Sequence, residues 1–412
     1  MDLTPFRNRD YRLLYAAQFV SLIGTTVTNV ALPYQMYRLT GSSFSVGLLG
    51  LVELVPLLAT AFIGGVMADA VDRRRIAIAT DVALAAGSAT LAIVAARGTS
   101  ALVLYLIAAW MSALSGLQRP AIESLLPRLV KKHELPAAAA LAVVRGSVGM
   151  IAGPAVGGLL IASTGLTVTY LVDVASYAAS LACLATIGAV PPAEDAERPS
   201  VAAVIEGFRY AWSRQELIGT YAVDFVAMVF GMPLALFPAI SDRLGGPSVL
   251  GLLYAAPAVG ALGASLTSRW TPHVHRHGRA IMLSATAWGL AIVGFGVCRT
   301  LWPALVYLAI AGAADGISGI FRMTMWNETI PDALRGRLAS IEMVSYMSGP
   351  LLGNLEAGGV AAAFGVTASV VSGGVLCVAA VIACGIWLPW FVGYDARRFK
   401  GFTSEGSMTR TG

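Results

Sequence analysis

Glu53, Asp224 and Asp315 each stand as the only charge in a long apolar stretch: between Arg38 and Asp69, between Glu216 and Asp242, and between Arg299 and Arg322. A carboxyl held away from water is costly to ionise and can cycle a proton near neutral pH. Ionisable groups in membrane-crossing segments are, by default, candidates for carrying ions or substrate. Asp224 leads this set, because it lies near the middle of its segment and Gly231 and Pro233 are placed to break the helix nearby. Asp315, in "AGAADGISG", follows, and then Glu53. Arrival of a cationic or polar molecule beside such a carboxyl would favour proton release, which is the coupling an antiporter needs. Arg145, also in an apolar stretch, could pair with one of these carboxylates or receive an anionic, catechol-type cargo. Asp81 and Asp173 lie nearer the ends of their segments and are weaker candidates.

The elements that must position these residues follow from composition. Hydrophobic residues make up 57% of the 412-residue chain and charged residues 12%, against roughly 25% charged in soluble domains. Lipid is therefore the expected solvent for most of the surface. Segments long enough to cross a bilayer, roughly 20 residues each, fall near 13–37, 44–68, 76–96, 100–122, 138–162, 167–190, 217–241, 247–268, 279–298, 301–325, 337–364 and 366–392. The expected fold is an all-α polytopic membrane protein with 12 transmembrane helices in two six-helix bundles. Cytoplasmic connections retain Lys and Arg. One set of connections is rich in both, while the opposite set holds only Arg38, Arg97, Arg243 and Arg299. Both termini are thus expected on the cytoplasmic side of the inner membrane, with residues 1–190 as the first bundle and 217–392 as the second. Residues 191–216 form a linker and 393–412 a tail. In the linker, Val201, Val204, Ile205, Phe208 and Trp212 recur at helical spacing, the pattern of an amphipathic helix lying on the membrane face.

Several function classes are excluded on the same grounds. The net charge of +5 reflects the loops, so no nucleic-acid partner is expected. There is no GxxxxGK[ST] phosphate loop and no nucleophile–base constellation, so no enzyme, cofactor or metal site is expected. His273, His275 and His277 read as a solvated basic loop, and the four cysteines as packing residues within helices.

The two halves repeat one another. "RLTGSSFSVGLLGL" at 38–51 parallels "RLGGPSVLGLLYA" at 243–255, and Arg119, Glu123 and Pro127 parallel Arg322, Glu328 and Pro331. Gly153-Pro154 likewise parallels Gly349-Pro350. Duplicated six-span units are a transporter architecture, with substrate bound near mid-membrane. Arg119 and Glu123, at i and i+4, are placed for an ion pair, and with Arg322 and Glu328 they suggest a symmetric cytoplasmic gate.

Two motifs carry a family resemblance. Gly65, Asp69, Arg73 and Arg74 in "GGVMADAVDRRR" resemble the major facilitator signature GxxxDRxGRR between spans two and three. Ala70 replaces the usual basic residue and Asp72 the usual Gly, whose left-handed turn an Asp can tolerate. The resemblance implies a gating loop in which Asp69 closes the cytoplasmic side. "GMIAGPAVGG", with Gly149, Gly153, Pro154, Gly157 and Gly158, resembles the GxxxGPxxGG core found on span five of family antiporters. Gly149, Gly153 and Gly157 form a smooth ridge that permits close helix approach. Across nearly its full length the chain resembles the enterobactin-exporter and drug-efflux branch of the major facilitator superfamily. Asn29 stands in span one where several family drug exporters carry an acid, so their proton site is not implied here. The resemblance implies a monomeric exporter of a small, siderophore-like or drug-like molecule, working by proton antiport with the bilayer as its medium. Two alternatives stay open: an importer or facilitator of a small metabolite, and a non-transporting membrane receptor or scaffold.

Overall fold

The computed structural model describes residues 2–70, 72–188, 209–331 and 334–397. Within these ranges a few side chains are outside the description, including those at positions 65 and 69. The chain folds into α1 (Arg9–Thr40), α2 (Ser43–Ala70), α3 (Arg73–Arg97), α4 (Ala101–Leu129), α5 (Leu135–Ala185), α6 (Gln215–Gly231), α7 (Phe237–Leu244), α8 (Pro247–Leu266), α9 (His277–Val297), α10 (Leu301–Thr329), α11 (Arg335–Phe364) and α12 (Val366–Trp387). Among the described residues, ten helices are long and apolar enough to cross a membrane by length and composition. One of them, the 51-residue α5, carries two spans, and α11 supplies a further one, which gives the expected twelve.

Breaks between spans fall where the backbone can turn. α5 bends at Gly165, whose φ of 83° and ψ of 175° are cheap only for glycine. At the corresponding place in the second half, Gly365 separates α11 from α12 with φ 90° and ψ 158°. The seventh expected span is split: α6 stops at Gly231, a short 3-10 turn follows at Leu234–Leu236, and α7 begins at Phe237. The interruption at Gly231 and Pro233 is the break that these residue types foreshadow. Most of the expected linker helix lies outside the described residues. Its last turn, 209–212, is helical and already two-sided: Ala211 is buried against Leu217 and Ile330, whereas Trp212 is exposed.

The chain forms two compact units. The first comprises Met1–Pro199 with Ala235–Ala255, and the second Ser200–Leu234 with Ala256–Gly412. Residues 235–255 thus group with the first unit and not with the rest of the expected bundle 217–392. Gly158 of α5 sets this pairing. A Cβ there would lie 2.6 Å from the backbone nitrogen of Gly251 in α8, so only a glycine pair lets these two helices come so close.

In the first unit, α5 packs along α1 and α3, and α4 along α2 and α3. The second unit repeats this scheme: α6 pairs with α11, and α9 pairs with α10 and α12. The ridge of Gly149, Gly153 and Gly157 faces α1, where an added Cβ would strike Leu22, Thr26 and the backbone of Val27 respectively. Gly349 and Gly353 of α11 meet Met228 and Val229 of α6 in the same way. Gly153→Leu is therefore expected to lower thermal stability by about 1–3 kcal/mol through overpacking. Gly146→Leu, on the same helix with open space at its Cβ, should melt like the parent. Equal melting temperatures for both variants would show that the ridge tolerates bulk.

Candidate functional site

α6 and α10 bring two of the three lone carboxylates to a single cation in the second unit. Asp315, Ser318 and Arg322 lie at i, i+3 and i+7, so they share one face of α10. Arg322 forms an ion pair with Asp224 of α6, and its second guanidinium nitrogen stands 3.6 Å from Asp315. Arg322 and Asp224 are nearly closed off, at 14% and 12% exposed, whereas Asp315 is 38% exposed. Among the described residues, Glu342 and Tyr346 of α11 also act electrostatically on Arg322.

A small cleft opens beside this cluster, lined by Val223, Asp224, Ala227, Ala285, Trp288, Asp315 and Ser318. Trp288 of α9 is buried, yet its indole Nε1 has no hydrogen-bond partner among the described residues. Gly231, the last residue of α6, makes room for that indole, since a Cβ there would collide with Nε1. A buried donor without a partner costs free energy, and here it sits in the same cleft as two carboxylates. Nothing in the sequence marks Trp288 or Ser318. Their place in the cleft depends on how α9 and α10 are rotated against α6.

The remaining candidates are not part of this cluster. Glu53 lies in the first unit, where its backbone carbonyl accepts a hydrogen bond from Ser112 at 2.7 Å. Arg145 has no carboxylate partner among the described residues. It donates to Gln18, and its guanidinium lies 5.6 Å from the ring centroid of Tyr15. Asn29 is exposed, and it is the preceding Thr28 that turns inward.

Asp81 and Asp173, weak candidates by position, are among the described residues the two most deeply buried carboxylates of the first unit, at 1% and 0% exposed. Asp173 accepts hydrogen bonds from Thr28 at 2.6 Å, Ser88 at 2.7 Å and Ser176 at 3.2 Å. Asp81 accepts from Ser180 at 2.7 Å and from Gln118. These hydroxyl partners tie α1, α3 and α5 together. They satisfy buried carboxylates that would otherwise be expensive.

The expected gate residues divide. Arg119 and Glu123 do pair, at 3.0 Å, but in the open, with side chains 45% and 63% exposed. Such a pair contributes about 0–1 kcal/mol. Arg322 and Glu328 do not form the matching pair. Arg322 is drawn to the two aspartates, while Glu328 lies 3.4 Å from Nδ1 of His277 and accepts a hydrogen bond from Tyr394 at 2.9 Å. A six-residue separation along one helix leaves these two side chains on different faces. His277 is accordingly no solvated loop residue: it is buried at the start of α9.

In the signature loop, the side chains at Gly65 and Asp69 lie outside the described residues. Arg73 is buried. Arg74 donates from Nε to the Leu184 carbonyl at 2.8 Å and from Nη2 to that of Ala185 at 2.6 Å, capping the end of α5. Asp72 does not use a left-handed turn. With φ −55° and ψ 115° it is the N-cap of α3 and accepts from the Arg74 amide at 2.9 Å.

Comparison with known proteins agrees with this architecture. The chain is 27% identical over 354 residues to the enterobactin exporters of Shigella boydii serotype 18 and Escherichia coli O1:K1, covering 85% of each chain. Its fold resembles that of the nucleoside transporter NupG, with a TM-score of 0.71 at 14% identity over 92% of this chain and 98% of that one. It also resembles a POT family transporter in complex with 5-aminolevulinic acid, with a TM-score of 0.72 at 12% identity over 92% and 96%. The transmembrane secretion effector family matches residues 1–397, and with twelve spans, duplicated halves and this likeness the chain belongs to that family of multi-pass major facilitator transporters, which are not enzymes.

Proposed function

We infer that this protein exports a small, siderophore-like or drug-like molecule across the inner membrane in exchange for protons, with both termini in the cytoplasm. The observation that carries the reading is a single buried guanidinium, Arg322, shared between Asp224 and Asp315. With one carboxylate protonated the three groups are neutral; with both ionised they carry one net negative charge. An isolated charge at that depth is costly, so proton release needs compensation. A cargo offering a cation or several donors supplies it, and Trp288 Nε1 and Ser318 provide donors for the acceptors of the cargo. Release of the proton is thereby tied to arrival of the cargo. An inward proton gradient then drives export, at roughly 2.3 kcal/mol per charge per 100 mV. The direction of transport is supported by the enterobactin exporters to which the chain is similar.

Asp69 in the signature loop is the proposed cytoplasmic latch. Purified protein in vesicles should release protons when enterobactin or a cationic drug is added, and should concentrate that cargo when a pH gradient is imposed. Cargo movement that is indifferent to the gradient would overturn antiport. In the same vesicles Asp69→Asn should slow transport at equal protein content, and unchanged kinetics would remove its gating role.

A further inference from the structure

On the second unit, α9 separates two apolar grooves that meet at one basic end. The groove against α10 encloses about 540 Å³ and includes Ala287, Ile310 and Ile317. The groove against α12 encloses about 430 Å³ and includes Met282, Ile382 and Ile386. Arg279 and Leu283 border both. Leu283 is 71% exposed and forms the ridge between them, one helical turn from Arg279. Arg276 lies at the same end of the first groove, beside Trp270. Both arginines are exposed, and neither side chain has a hydrogen bond or ion pair among the described residues. Trp387 and Trp390, both largely exposed, follow Ile386 closely along the chain, near the second groove. Exposed tryptophans of this kind mark the boundary between headgroups and hydrocarbon.

We propose that this two-lobed surface binds one anionic diacyl phospholipid. Its phosphate sits between Arg276 and Arg279, and one acyl chain lies on each side of Leu283. The first groove runs from Arg279 to Ala287, about 12 Å at 1.5 Å per residue, which suits the upper part of an extended chain. Two unengaged guanidinium groups complement a net negative headgroup, and basic sites between transmembrane helices are suited to such lipids. A zwitterionic lipid would bring its own ammonium to the same place and lose most of that attraction. A single exposed ridge between two apolar channels matches two chains on one headgroup better than it matches a packed helix. Because α9 also carries Trp288, the bound lipid would hold the helix that lines the transport cleft.

The test is native mass spectrometry of the detergent-purified protein titrated with phosphatidylglycerol or phosphatidylcholine. One phosphatidylglycerol should be retained per chain, preferred at least tenfold over phosphatidylcholine. Neutralising both arginines, as Arg276→Gln with Arg279→Gln, should weaken phosphatidylglycerol binding about 25-fold, from about fivefold per arginine, and leave phosphatidylcholine unchanged. The control pair Arg9→Gln with Arg12→Gln, exposed in the first unit, should have no effect. Equal retention of the two lipids by the unmodified protein would overturn the proposal, with no variant needed. So would equal weakening by the control pair, or full displacement of the lipid by millimolar glycerol phosphate, which would indicate a simple anion site.

Discussion

Asp224→Asn is expected to abolish uphill efflux driven by a pH gradient while leaving cargo-for-cargo exchange in place. In the parent, Arg322 serves two carboxylates, and under the proposed mechanism the surplus negative charge binds the exchangeable proton. With Asn at 224, Asp315, 3.6 Å away, is the carboxylate left within ion-pair distance of Arg322 among the described residues. That pair is neutral without a proton, so nothing remains to release when cargo arrives. One pH unit is about 1.4 kcal/mol per proton, enough to hold about a tenfold cargo gradient in a one-for-one antiporter. In reconstituted vesicles the parent should approach that ratio and the variant should stay near unity, with exchange rates in the absence of a gradient little changed. Asp315→Asn should behave alike, because it leaves Arg322 with Asp224 alone. Glu53→Gln, in the first unit, should retain coupling. If Asp224→Asn still concentrates cargo as the parent does, the carboxylate is structural and the proton is carried elsewhere.

Arg322→Gln is expected to be the most damaging single change in the second unit. Removing one partner of a buried ion pair leaves an uncompensated charge and typically costs about 3–5 kcal/mol. The partial exposure of Asp315 favours the lower end, since water can reach that carboxyl. The melting temperature in detergent should fall clearly, and transport should be lost even in protein that remains folded. The double variant Arg322→Gln with Asp224→Asn removes both charges of the closest pair, and it should recover about half of the lost stability, because deleting a buried pair is milder than splitting it. It should recover no transport. A single variant that melts like the parent would show that Arg322 is not required to hold α6 and α10 together.

The apolar segments, their number and the duplication of the halves were legible in the linear sequence, since lipid imposes about 20 apolar residues on each span. The turns at Gly165 and Gly365 were marked only as gaps between expected spans, and their backbone geometry came from the structure, whereas the break at Gly231 and Pro233 was legible because it depends on residue type. The glycine ridge on α5 was readable for the same reason, because absence of a side chain is itself the property that lets a helix approach.

Side-chain partnership was not readable in that way. Arg322 and Glu328 look like a gate pair beside Arg119 and Glu123, yet the spacing of six residues and the nearness of α6 turn Arg322 toward Asp224 and Asp315 instead. Asp81 and Asp173 seemed peripheral by position, but hydroxyls contributed by α1, α3 and α5 bury and satisfy them. His277 seemed part of a solvated run until the start of α9 placed it against Glu328. In each case the deciding quantity is a helix rotation or a contact between residues dozens of positions apart. By itself the sequence determined that the chain crosses a membrane in two related halves and where charge is confined, because those outcomes depend on local length, hydrophobicity and backbone freedom. Only the tertiary structure decided which charges meet, because an ion pair exists where two helices bring atoms within a few ångströms, and spacing along one chain does not encode that distance.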